Sequence, residues 1–299
     1  MAQAPSSSAA SAAFETHRSH LLGVAYRMLG SLAEAEDVVQ DAWLRWQRAE
    51  TEGVANPRAF LSRIVTNLCL DQMKSARARR EEYVGPWLPE PVAEGVGPDV
   101  EAERADSLSV ALLLALERLS PLERAAYLLH DIFDMDYGEV AAQLGRSEAT
   151  CRQLATRARA HVQAGRPRFR VDRDEGERLV DAFMAAAQSG DASVLGRLLA
   201  SDAALHADGG GIKIAVRNVV RGADRVARFF AGLQRKFGDA ERRILWRGLI
   251  NGLPGYVSLE HGETLQSTAF EIEDGKISAI YIVRNPEKLR YLSGLAAPR

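Results

Sequence analysis

The sequence has 299 residues, of which 46% are hydrophobic and 26% are charged, and its formal net charge is −2. This length predicts two or three domains, and the composition is typical of proteins that bury hydrophobic cores. Because the sequence contains neither a run of about 18 apolar residues nor a signal-peptide pattern at its start, we expect a cytoplasmic protein that does not enter a membrane. Cys69 and Cys151 are too few for a disulfide framework and lack metal-ligand spacing; neither a metal nor a cofactor is predicted.

The first part of the chain predicts a helical domain behind a short tail. Residues 1–13 are rich in alanine and serine, and we expect them to be disordered. Residues 14–82 follow with apolar side chains at helical spacing. Ser31 and Glu34 have the spacing of a capping box at the start of one helix, and the Asn-Pro pair at 56–57 marks the start of another.

A linker and a second helical domain come next. Residues 83–107 are rich in proline and glycine, which is typical of a linker. Residues 108–165 return to helical spacing. Within them, a short helix capped by Asp136 ends at Gly145, and Ser147 caps the helix that follows. A helix, a three-residue break and a second helix form the helix-turn-helix arrangement.

The final part of the chain predicts an α+β domain. After a linker at 166–175, residues 176–299 begin with a helix pair that breaks at Gly190. Alternating or β-branched runs follow, separated by turn residues and by one helix at 222–237. Helices followed by a mostly antiparallel sheet are typical of an α+β domain. The predicted strands are 203–207, 212–216, 242–250, 256–262, 264–273 and 276–283.

The helix after Ser147 has a polar face suited to reading DNA. Arginine and glutamine can make paired hydrogen bonds to guanine and adenine, and threonine can meet the thymine methyl group. A helix-turn-helix places such a helix in the major groove. A solvated basic face is the simpler alternative, but capping, break length and side-chain chemistry together favour DNA. The candidate residues are Arg152, Gln153, Thr156, Arg157 and Arg159.

The first helical domain carries surfaces of opposite charge. The long helix after residue 57 presents a polar face with several cations suited to phosphates. The helix before it is acidic, with Asp37 and Asp41 on one side. An acidic helix next to a basic one indicates two partners, one protein and one nucleic acid.

Three stretches resemble, in order, the two helical domains of an extracytoplasmic-function (ECF) sigma factor, a sigma-70-type subunit that gives bacterial RNA polymerase its promoter specificity. They are RMLGSLAEAEDVVQDAWLRWQ, NPRAFLSRIVTNLCLDQMKSARARR and LERLSPLERAAYLLHDIFDMDYGEVAAQLGRSEATCRQLATRARAHV. WLPEP in the linker, DGGG at 208–211 and RNPEKL near the end resemble signature motifs of one subgroup. In that subgroup a SnoaL-like cone domain follows the DNA-reading domain. The resemblance therefore implies a multidomain fold with two all-α domains, the second a helix-turn-helix, followed by an α+β cone-shaped domain.

The resemblance assigns roles to particular residues. It implies two partners, the core of bacterial RNA polymerase and promoter DNA, and a fused domain that regulates in place of a separate anti-sigma protein. The implied contacts are Asp37, Gln40, Asp41 and Trp43 for polymerase; Asn67, Asp71, Lys74 and Arg77 for the −10 element; and Arg152, Gln153, Thr156, Arg157 and Arg159 for the −35 element. We expect the three motifs to converge near an interdomain surface through Trp87, Pro89, Glu90, Asp208, Gly209, Gly210, Gly211, Asn285, Pro286 and Lys288.

The stretch ADGGGIKIAV at 207–216 admits a phosphate cradle, a hairpin bend or a docking edge. The phosphate loop fails, because the spacing, the Ser/Thr and the following helix are all missing. Glycines in strand patterns mark bends or close backbone approach, which favours a docking bend. The subgroup has lysine directly after the third glycine, whereas here Ile212 occupies that place and Lys213 follows. On a strand, this shift moves the ammonium group to the opposite face.

Two other functions remain open from the residues alone. A cone domain could bind or modify a small molecule, with His206, Asp208, Glu260 and His261 as candidate acids and bases. The chain would then be an enzyme with a DNA-binding appendage. A one-component repressor is the third possibility, and the acidic helix with two separate DNA-binding segments argues against it. We predict that the chain is not an enzyme, since fold does not imply function.

Overall fold

The computed structural model describes residues 7–49, 54, 56–81, 83–97, 109–163, 172–238 and 242–296. The chain divides into two compact units. One unit comprises residues 1–81 and 99–166, and the other comprises residues 82–98 and 167–299. Within the described ranges, no helix is both long enough and apolar enough to cross a bilayer.

The first helical domain consists of α1 (Ser7–Leu29), α2 (Leu32–Arg48) and α3 (Pro57–Glu81). The predicted cap of α2 is confirmed, because the Ser31 hydroxyl accepts a hydrogen bond from the Glu34 amide. At α3, the Asn56 side chain accepts from the amide of residue 59. These caps satisfy amide groups that have no partner inside the helix.

The predicted tail at 1–13 is wrong for residues 7–13, which belong to α1. Alanine has the highest helix propensity, and this stretch is rich in it. The helix is also held from outside, because Trp46 Nε1 donates to the carbonyl of Ala10 at 2.9 Å. Residues 1–6 lie outside the described residues.

The second helical domain contains α4 (Val110–Glu117), α5 (Pro121–Tyr127), α6 (Tyr137–Leu144) and α7 (Glu148–Gln163). A wider π-type turn, Leu128–Ile132, extends α5. Complete capping boxes begin α5, at Ser120 and Glu123, and α6, at Asp136 and Glu139. Gly145 ends α6 with φ +62°, so the predicted helix-turn-helix is formed by α6 and α7.

The two helical domains pack directly on each other inside their unit. The side chain of Arg124 in α5 is 1% exposed, and its Nε donates to the carbonyl of Arg27 in α1 at 2.9 Å. Its Nη1 lies 2.6 Å from Glu117 Oε1. Burial lowers the pKa of Arg124 to about 9. Phe133 adds apolar contact, with its ring 5.0 Å from the ring of His20 in α1.

The C-terminal unit folds as helices on a curved sheet. Its helices are α8 (Arg173–Ser189), α9 (Ala192–Leu198) and α10 (Ala223–Phe237). In the described part of the chain the sheet has six strands in the order β2-β1-β6-β5-β4-β3. Neighbouring strands are antiparallel except β1 and β6, which are parallel. The strands are β1 (Leu199–Asp208), β2 (Val220–Arg221), β3 (Arg242–Ile250), β4 (Leu253–Glu260), β5 (Thr264–Glu273) and β6 (Lys276–Val283).

The core of this unit lies between the helices and the sheet. Phe183 of α8 contacts Phe230 of α10 and Phe270 of β5, with ring centroids 5.0 and 5.3 Å apart. Val226 and Ile280 are completely buried in the same cluster. Asp191 caps α9 through the amides of residues 193 and 194, directly after the break predicted at Gly190.

The predicted strand at 212–216 is wrong. Instead, the carbonyl of Gly209 accepts hydrogen bonds from the amides of Ile212 and Lys213, both at 3.0 Å, which closes a turn. Two of the apolar side chains that produced the strand pattern are exposed, Ile212 at 54% and Ile214 at 88%, whereas Ala215 and Val216 pack against the core. The alternation argument about Lys213 therefore does not apply. We call residues 209–217 the glycine loop.

Candidate linker-docking site and nucleic-acid-binding surfaces

A buried carboxylate organises the end of strand β1. Asp208 is 0% exposed, and its Oδ1 accepts from the Tyr83 hydroxyl at 2.5 Å and from the Gly210 amide at 3.0 Å. Its Oδ2 accepts from the Leu88 amide at 2.9 Å and from Lys288 Nζ at 2.7 Å. We call this group, together with Asn285, the Asp208 cluster. It joins the segment predicted as a linker to the C-terminal domain.

Lys288 provides the positive charge of the cluster. Besides Asp208, its ammonium group donates to the carbonyl of Leu88 at 2.5 Å. The same nitrogen lies 4.8 Å from the ring centre of Tyr83 and 4.3 Å from that of Trp87, so both rings contribute cation–π attraction. The Lys288 side chain is only 10% exposed. The charge therefore holds two aromatic residues and one backbone carbonyl of the linker segment.

Asn285 fixes the tyrosine hydroxyl from the other side. Its Nδ2 donates to the Tyr83 hydroxyl at 2.9 Å, so the hydroxyl accepts one hydrogen bond and donates another to Asp208. The amides of Arg284 and Asn285 donate to the Asp208 carbonyl at 2.7 and 3.1 Å. Asn285 Oδ1 then caps the short 3₁₀ turn Pro286–Lys288. Burial and the Asp208 carboxylate raise the pKa of Tyr83 well above its ordinary value, so the hydroxyl stays protonated and can donate.

The three glycines allow close approach at this site. A Cβ on Gly209 would lie 2.1 Å from the carbonyl oxygen of Lys213. Gly210 has φ +62°, and a Cβ there would lie 2.3 Å from Asn285 Nδ2. A Cβ on Gly211 would lie 3.3 Å from Val84. Two of the three glycines therefore face the Asp208 cluster or the linker segment, and the first closes the turn.

The linker segment is also held farther along. The amide of Val92 donates to Asn251 Oδ1 at 3.1 Å, and the amide of Asn251 returns a hydrogen bond to the Val92 carbonyl at 2.8 Å. The amide of Glu94 donates to the Leu249 carbonyl at 2.9 Å. Pro89 and Glu90 between these contacts are buried. Residues 83–97 of the predicted linker thus form part of the C-terminal unit.

The structure brings nine of the ten predicted interdomain residues into, or directly beside, this docking site: Trp87, Pro89, Glu90, Asp208, Gly209, Gly210, Gly211, Asn285 and Lys288. Gly211 contacts Val84, and Pro286 begins the exposed 3₁₀ turn. The sequence analysis did not predict Tyr83, Leu88 and Asn251 as residues of this site. Of the three, only Tyr83 could have been suspected, because an aromatic residue with a hydroxyl group stands four residues before WLPEP.

Helix α7 exposes most of the predicted −35 contacts. Arg152 and Arg157 are 58% and 62% exposed and form ion pairs with Glu148 and Glu123, at 2.8 and 3.4 Å; Arg152 also lies 5.2 Å from the ring centre of Tyr137. Gln153 and Thr156 are exposed beside them. Arg159 differs, because its guanidinium donates to Asp131 at 2.6 Å and to the Tyr137 hydroxyl at 3.0 Å. Arg159 thus ties α7 to the preceding elements, and we remove it from the proposed DNA contacts.

Helices α2 and α3 present the other predicted surfaces. Asp37, Gln40 and Asp41 are exposed on α2, next to Leu44, which is 42% exposed. Trp43 is half-buried, with its ring 4.9 Å from that of Phe14. On α3, Asn67 is exposed, and Asp71 and Lys74 form an exposed pair at 2.9 Å. The side chain of Arg77 lies outside the described part of the molecule.

The structure separates the four candidate acids and bases. Asp208 belongs to the docking site, and His206 packs against Tyr281 with ring centres 5.3 Å apart. Glu260 and His261 instead line a cavity between the helices and the sheet. Glu260 accepts from Arg242 Nε at 2.9 and 3.1 Å and from the Ser258 hydroxyl at 2.6 Å. The four groups therefore do not form one catalytic site.

Known proteins define the class of the helical domains. Residues 13–79 match Sigma-70 region 2, and residues 109–162 match Sigma-70, region 4. These are the domains that contain α1–α3 and α4–α7.

Full-length relatives then define the family. The chain is 40% identical to "ECF RNA polymerase sigma factor SigJ" of Mycobacterium tuberculosis, over 92% of this chain and 91% of that protein. It is 33% identical to "Probable ECF RNA polymerase sigma factor SigI" of the same organism, over 93% and 94% of the two chains. The crystal structure of M. tuberculosis SigJ matches with a TM-score of 0.76 at 36% identity, over 94% of this chain and 98% of that one.

This chain belongs to the ECF sigma factors of RNA polymerase. The SigJ match extends through the C-terminal domain, which confirms the predicted order of helical domains followed by a SnoaL-like α+β domain. Sigma factors are specificity subunits and not enzymes, so the alternative of a cone enzyme with a DNA-binding appendage is not supported.

Proposed function

We propose that this chain directs bacterial RNA polymerase to its promoters in the cytoplasm, and that its C-terminal domain restrains this activity by holding the segment between the two sigma domains. The observation that carries the second part is the Asp208 cluster. It consists of a buried ion pair inside the C-terminal domain, Asp208 with Lys288, from which a set of short hydrogen bonds extends to Tyr83 and Leu88 of the linker segment. Such a domain takes the place of a separate anti-sigma protein.

The exposed surfaces support the first part of the proposal. On α2, the exposed Asp37, Gln40 and Asp41 lie at helical spacing with the exposed apolar Leu44, and this mixed acidic and apolar face is the proposed polymerase contact. On α7, Arg152, Gln153, Thr156 and Arg157 present the donors and the methyl group that read bases in a major groove. On α3, Asn67, Asp71, Lys74 and Arg77 are the proposed −10 contacts.

Promoter geometry gives the restraint its physical meaning. The centres of the −10 and −35 elements are about 25 base pairs apart, which corresponds to about 85 Å of duplex. The two sigma domains are in direct contact in this structure through Arg27, Arg124 and Phe133. Domains in contact cannot occupy both elements at once, so promoter binding requires them to separate.

The linker segment controls how far they can separate. The 27 residues 82–108 lie between α3 and the second domain, and at full extension they span at most about 90 Å. While residues 83–97 are docked, separation relies mainly on residues 98–108, which span at most about 40 Å. Undocking therefore has to accompany promoter engagement, and the domain that binds the linker shifts the equilibrium between the two states.

Transcription by core polymerase at limiting sigma concentration tests this function. The comparison is between the full chain, a truncation after residue 170, Lys288→Met and Gly210→Ala, with Gly262→Ala as the control. We expect Lys288→Met and Gly210→Ala to raise transcription from a cognate promoter several-fold while capture of core polymerase stays unchanged. Unchanged transcription across all variants would contradict the regulatory proposal, and failure of every form to bind core polymerase would contradict the sigma-factor assignment.

A further inference from the structure

The C-terminal domain encloses a cavity that the sigma-factor function does not use. Its volume is about 960 Å³, which is within the range of small-molecule sites. One wall is apolar and consists of side chains from α8, α10, β3 and β6: Met184, Phe229, Phe230, Leu233, Ile244 and Ile282. The lining also contains a group of charged residues, Arg242, Glu260 and Arg284, besides Lys213, Arg247 and Glu263. The cavity thus combines an apolar wall with a group of charged residues.

This group of charged residues has an excess of positive charge. Glu260 is fully engaged, because Arg242 Nε contacts both of its oxygens and Ser258 donates to one of them. Arg247 at the rim is paired with Asp181. Arg284 has no carboxylate partner among the described residues, and its Nη1 donates only to the Ile214 carbonyl, at 2.8 Å.

Arg284 also keeps an unused donor. Its Nε is buried and has no hydrogen-bond partner in the described part of the chain. Leaving a buried donor of a charged group unsatisfied is costly, and burial lowers the pKa of Arg284. An anion bound beside the Arg284 guanidinium would offset the cost of burying its charge, whereas a cation would increase the repulsion.

We propose that this cavity binds an amphipathic organic acid, with a hydrocarbon or aromatic body against Phe229, Phe230 and Leu233 and a carboxylate, or a comparable anionic group, accepting from Arg284. The apolar wall favours a ligand with an apolar body over a small hydrophilic anion. Glu260 accepts from two donors, Arg242 and Ser258, and fixes Arg242; the role proposed for the cavity is therefore binding.

The position of the cavity connects it to the docking site. The glycine loop contributes Ile212 to Val216 to the cavity, while Gly210 and Gly211 of the same loop meet Asn285 and Val84. Arg284 holds this loop through the Ile214 carbonyl. A ligand on Arg284 therefore acts on the loop that carries the linker contacts. This consequence, unlike the site itself, rests on the proposed function.

Competition between a fluorescent probe and two matched ligands tests the site. The probe is 1-anilinonaphthalene-8-sulfonate on the full chain, displaced by decanoate or by 1-decanol. We expect decanoate to bind about tenfold or more tightly than decanol, because only decanoate makes a charge-assisted hydrogen bond. Arg284→Gln should remove this difference, and the matched surface variant Arg290→Gln should keep it.

A second variant keeps the test decisive if Arg284→Gln does not fold. Leu233→Trp fills the cavity from its rim and should abolish displaceable probe binding without changing a charge. Equal affinities for decanoate and decanol in the unmodified chain, or unchanged displacement in Leu233→Trp, would overturn the site.

Hydrogen exchange then separates the site from its consequence. Decanoate should change the exchange of amides in 83–97 in the unmodified chain. If decanoate binds without changing the exchange of these amides, the proposed connection to the linker is wrong, while the proposed binding site is unaffected. The transcription assay tests the sigma-factor function independently of either result.

Discussion

The exposed face of α7 and the Asp208 cluster both pair cations with carboxylates, yet they do so in opposite environments. Arg152 and Glu148 are 58% and 52% exposed, whereas Lys288 and Asp208 are 10% and 0% exposed. An exposed pair contributes little and exchanges easily for another partner. A buried pair with satisfied hydrogen bonds is costly to break. The first arrangement suits a surface that must meet DNA, and the second suits a contact that must hold the chain in place.

The largest expected effect is at the buried pair. Asp208→Ala removes the acceptor of Tyr83, Leu88, Gly210 and Lys288 and leaves the ammonium group buried without its partner. We expect the free energy of unfolding of the C-terminal unit to fall by about 3–5 kcal/mol, measured by denaturant titration. The matched control is Asp202→Ala, at an exposed position of the same strand, which should change it by less than about 0.5 kcal/mol. Equal effects of the two substitutions would refute the cluster's role.

Substitutions at two glycines, Gly210 and Gly262, distinguish the cost of backbone strain from the cost of a steric clash. Gly210 and Gly262 have φ +62° and +73°, but only a Cβ on Gly210 meets a neighbour, at 2.3 Å, since none lies within 4 Å of Gly262. We expect Gly262→Ala to cost about 1 kcal/mol of unfolding free energy from φ alone. Gly210→Ala should cost about 1–3 kcal/mol more, because Asn285 must move. Thermal unfolding of the two variants side by side measures the difference, and indistinguishable variants would argue against tight packing at Asn285.

Substitutions on the exposed face of α7 should weaken binding to DNA and leave the stability of the fold nearly unchanged. Arg152→Ala or Arg157→Ala should weaken binding to a −35 duplex by about 1–3 kcal/mol if the side chain contacts a base, measured by fluorescence anisotropy at fixed salt. Unfolding should change little. Arg159→Ala should leave DNA binding nearly unchanged. It should lower the free energy of unfolding by about 1 kcal/mol, because it removes the hydrogen bonds to Asp131 and Tyr137. A large affinity loss only in Arg159→Ala would invert this assignment.

A smaller expected effect is a pH dependence at the contact between the sigma domains. Burial, with the charges of Arg58, His17 and Arg27, lowers the pKa of His20 to about 3 from an ordinary value near 6.5. The folded state therefore favours neutral His20, and its stabilising contribution is present above pH 6.5 and lost as pH falls toward 3. Between pH 7.5 and 5.5 the helical unit should lose about 1.4 kcal/mol of unfolding free energy through this group.

His20→Gln should remove that part of the pH dependence. His161→Gln, at an exposed position of α7, should leave it unchanged. Parallel pH profiles for the unmodified chain and His20→Gln would show that burial of His20 does not matter for stability.

The elements that were predicted correctly depend on neighbouring residues. Ser31, Asn56, Ser120 and Asp136 each cap a helix through the amide three positions ahead, so four consecutive residues contain the whole signal. Most strands were also recovered, because their apolar and β-branched runs are bounded by turn residues that lie next to them in the sequence. Residues 212–216 have the same apolar alternation, but no partner strand pairs with them in the structure.

The docking site depends on contacts between distant parts of the chain. Leu88 and Asp208 are 120 residues apart, and Tyr83 and Asn285 are 202 residues apart. The motifs indicated which segments matter, but no local pattern shows that an amide of one segment donates to a carboxylate of another. The hydrogen bond of Arg159 to Asp131 was missed for the same reason, since Asp131 lies 28 residues before it.

Hydrogen exchange of residues 83–97 is the most direct test of the restraint. The exchange is measured in the free sigma factor and in its complex with core polymerase and a cognate promoter. In the free protein, the amides of Leu88, Val92 and Glu94 should be protected, because Asp208, Asn251 and Leu249 accept their hydrogen bonds. In the promoter complex they should lose that protection. Full protection in the complex would show that the sigma domains engage the promoter with the linker still docked, which would contradict the account.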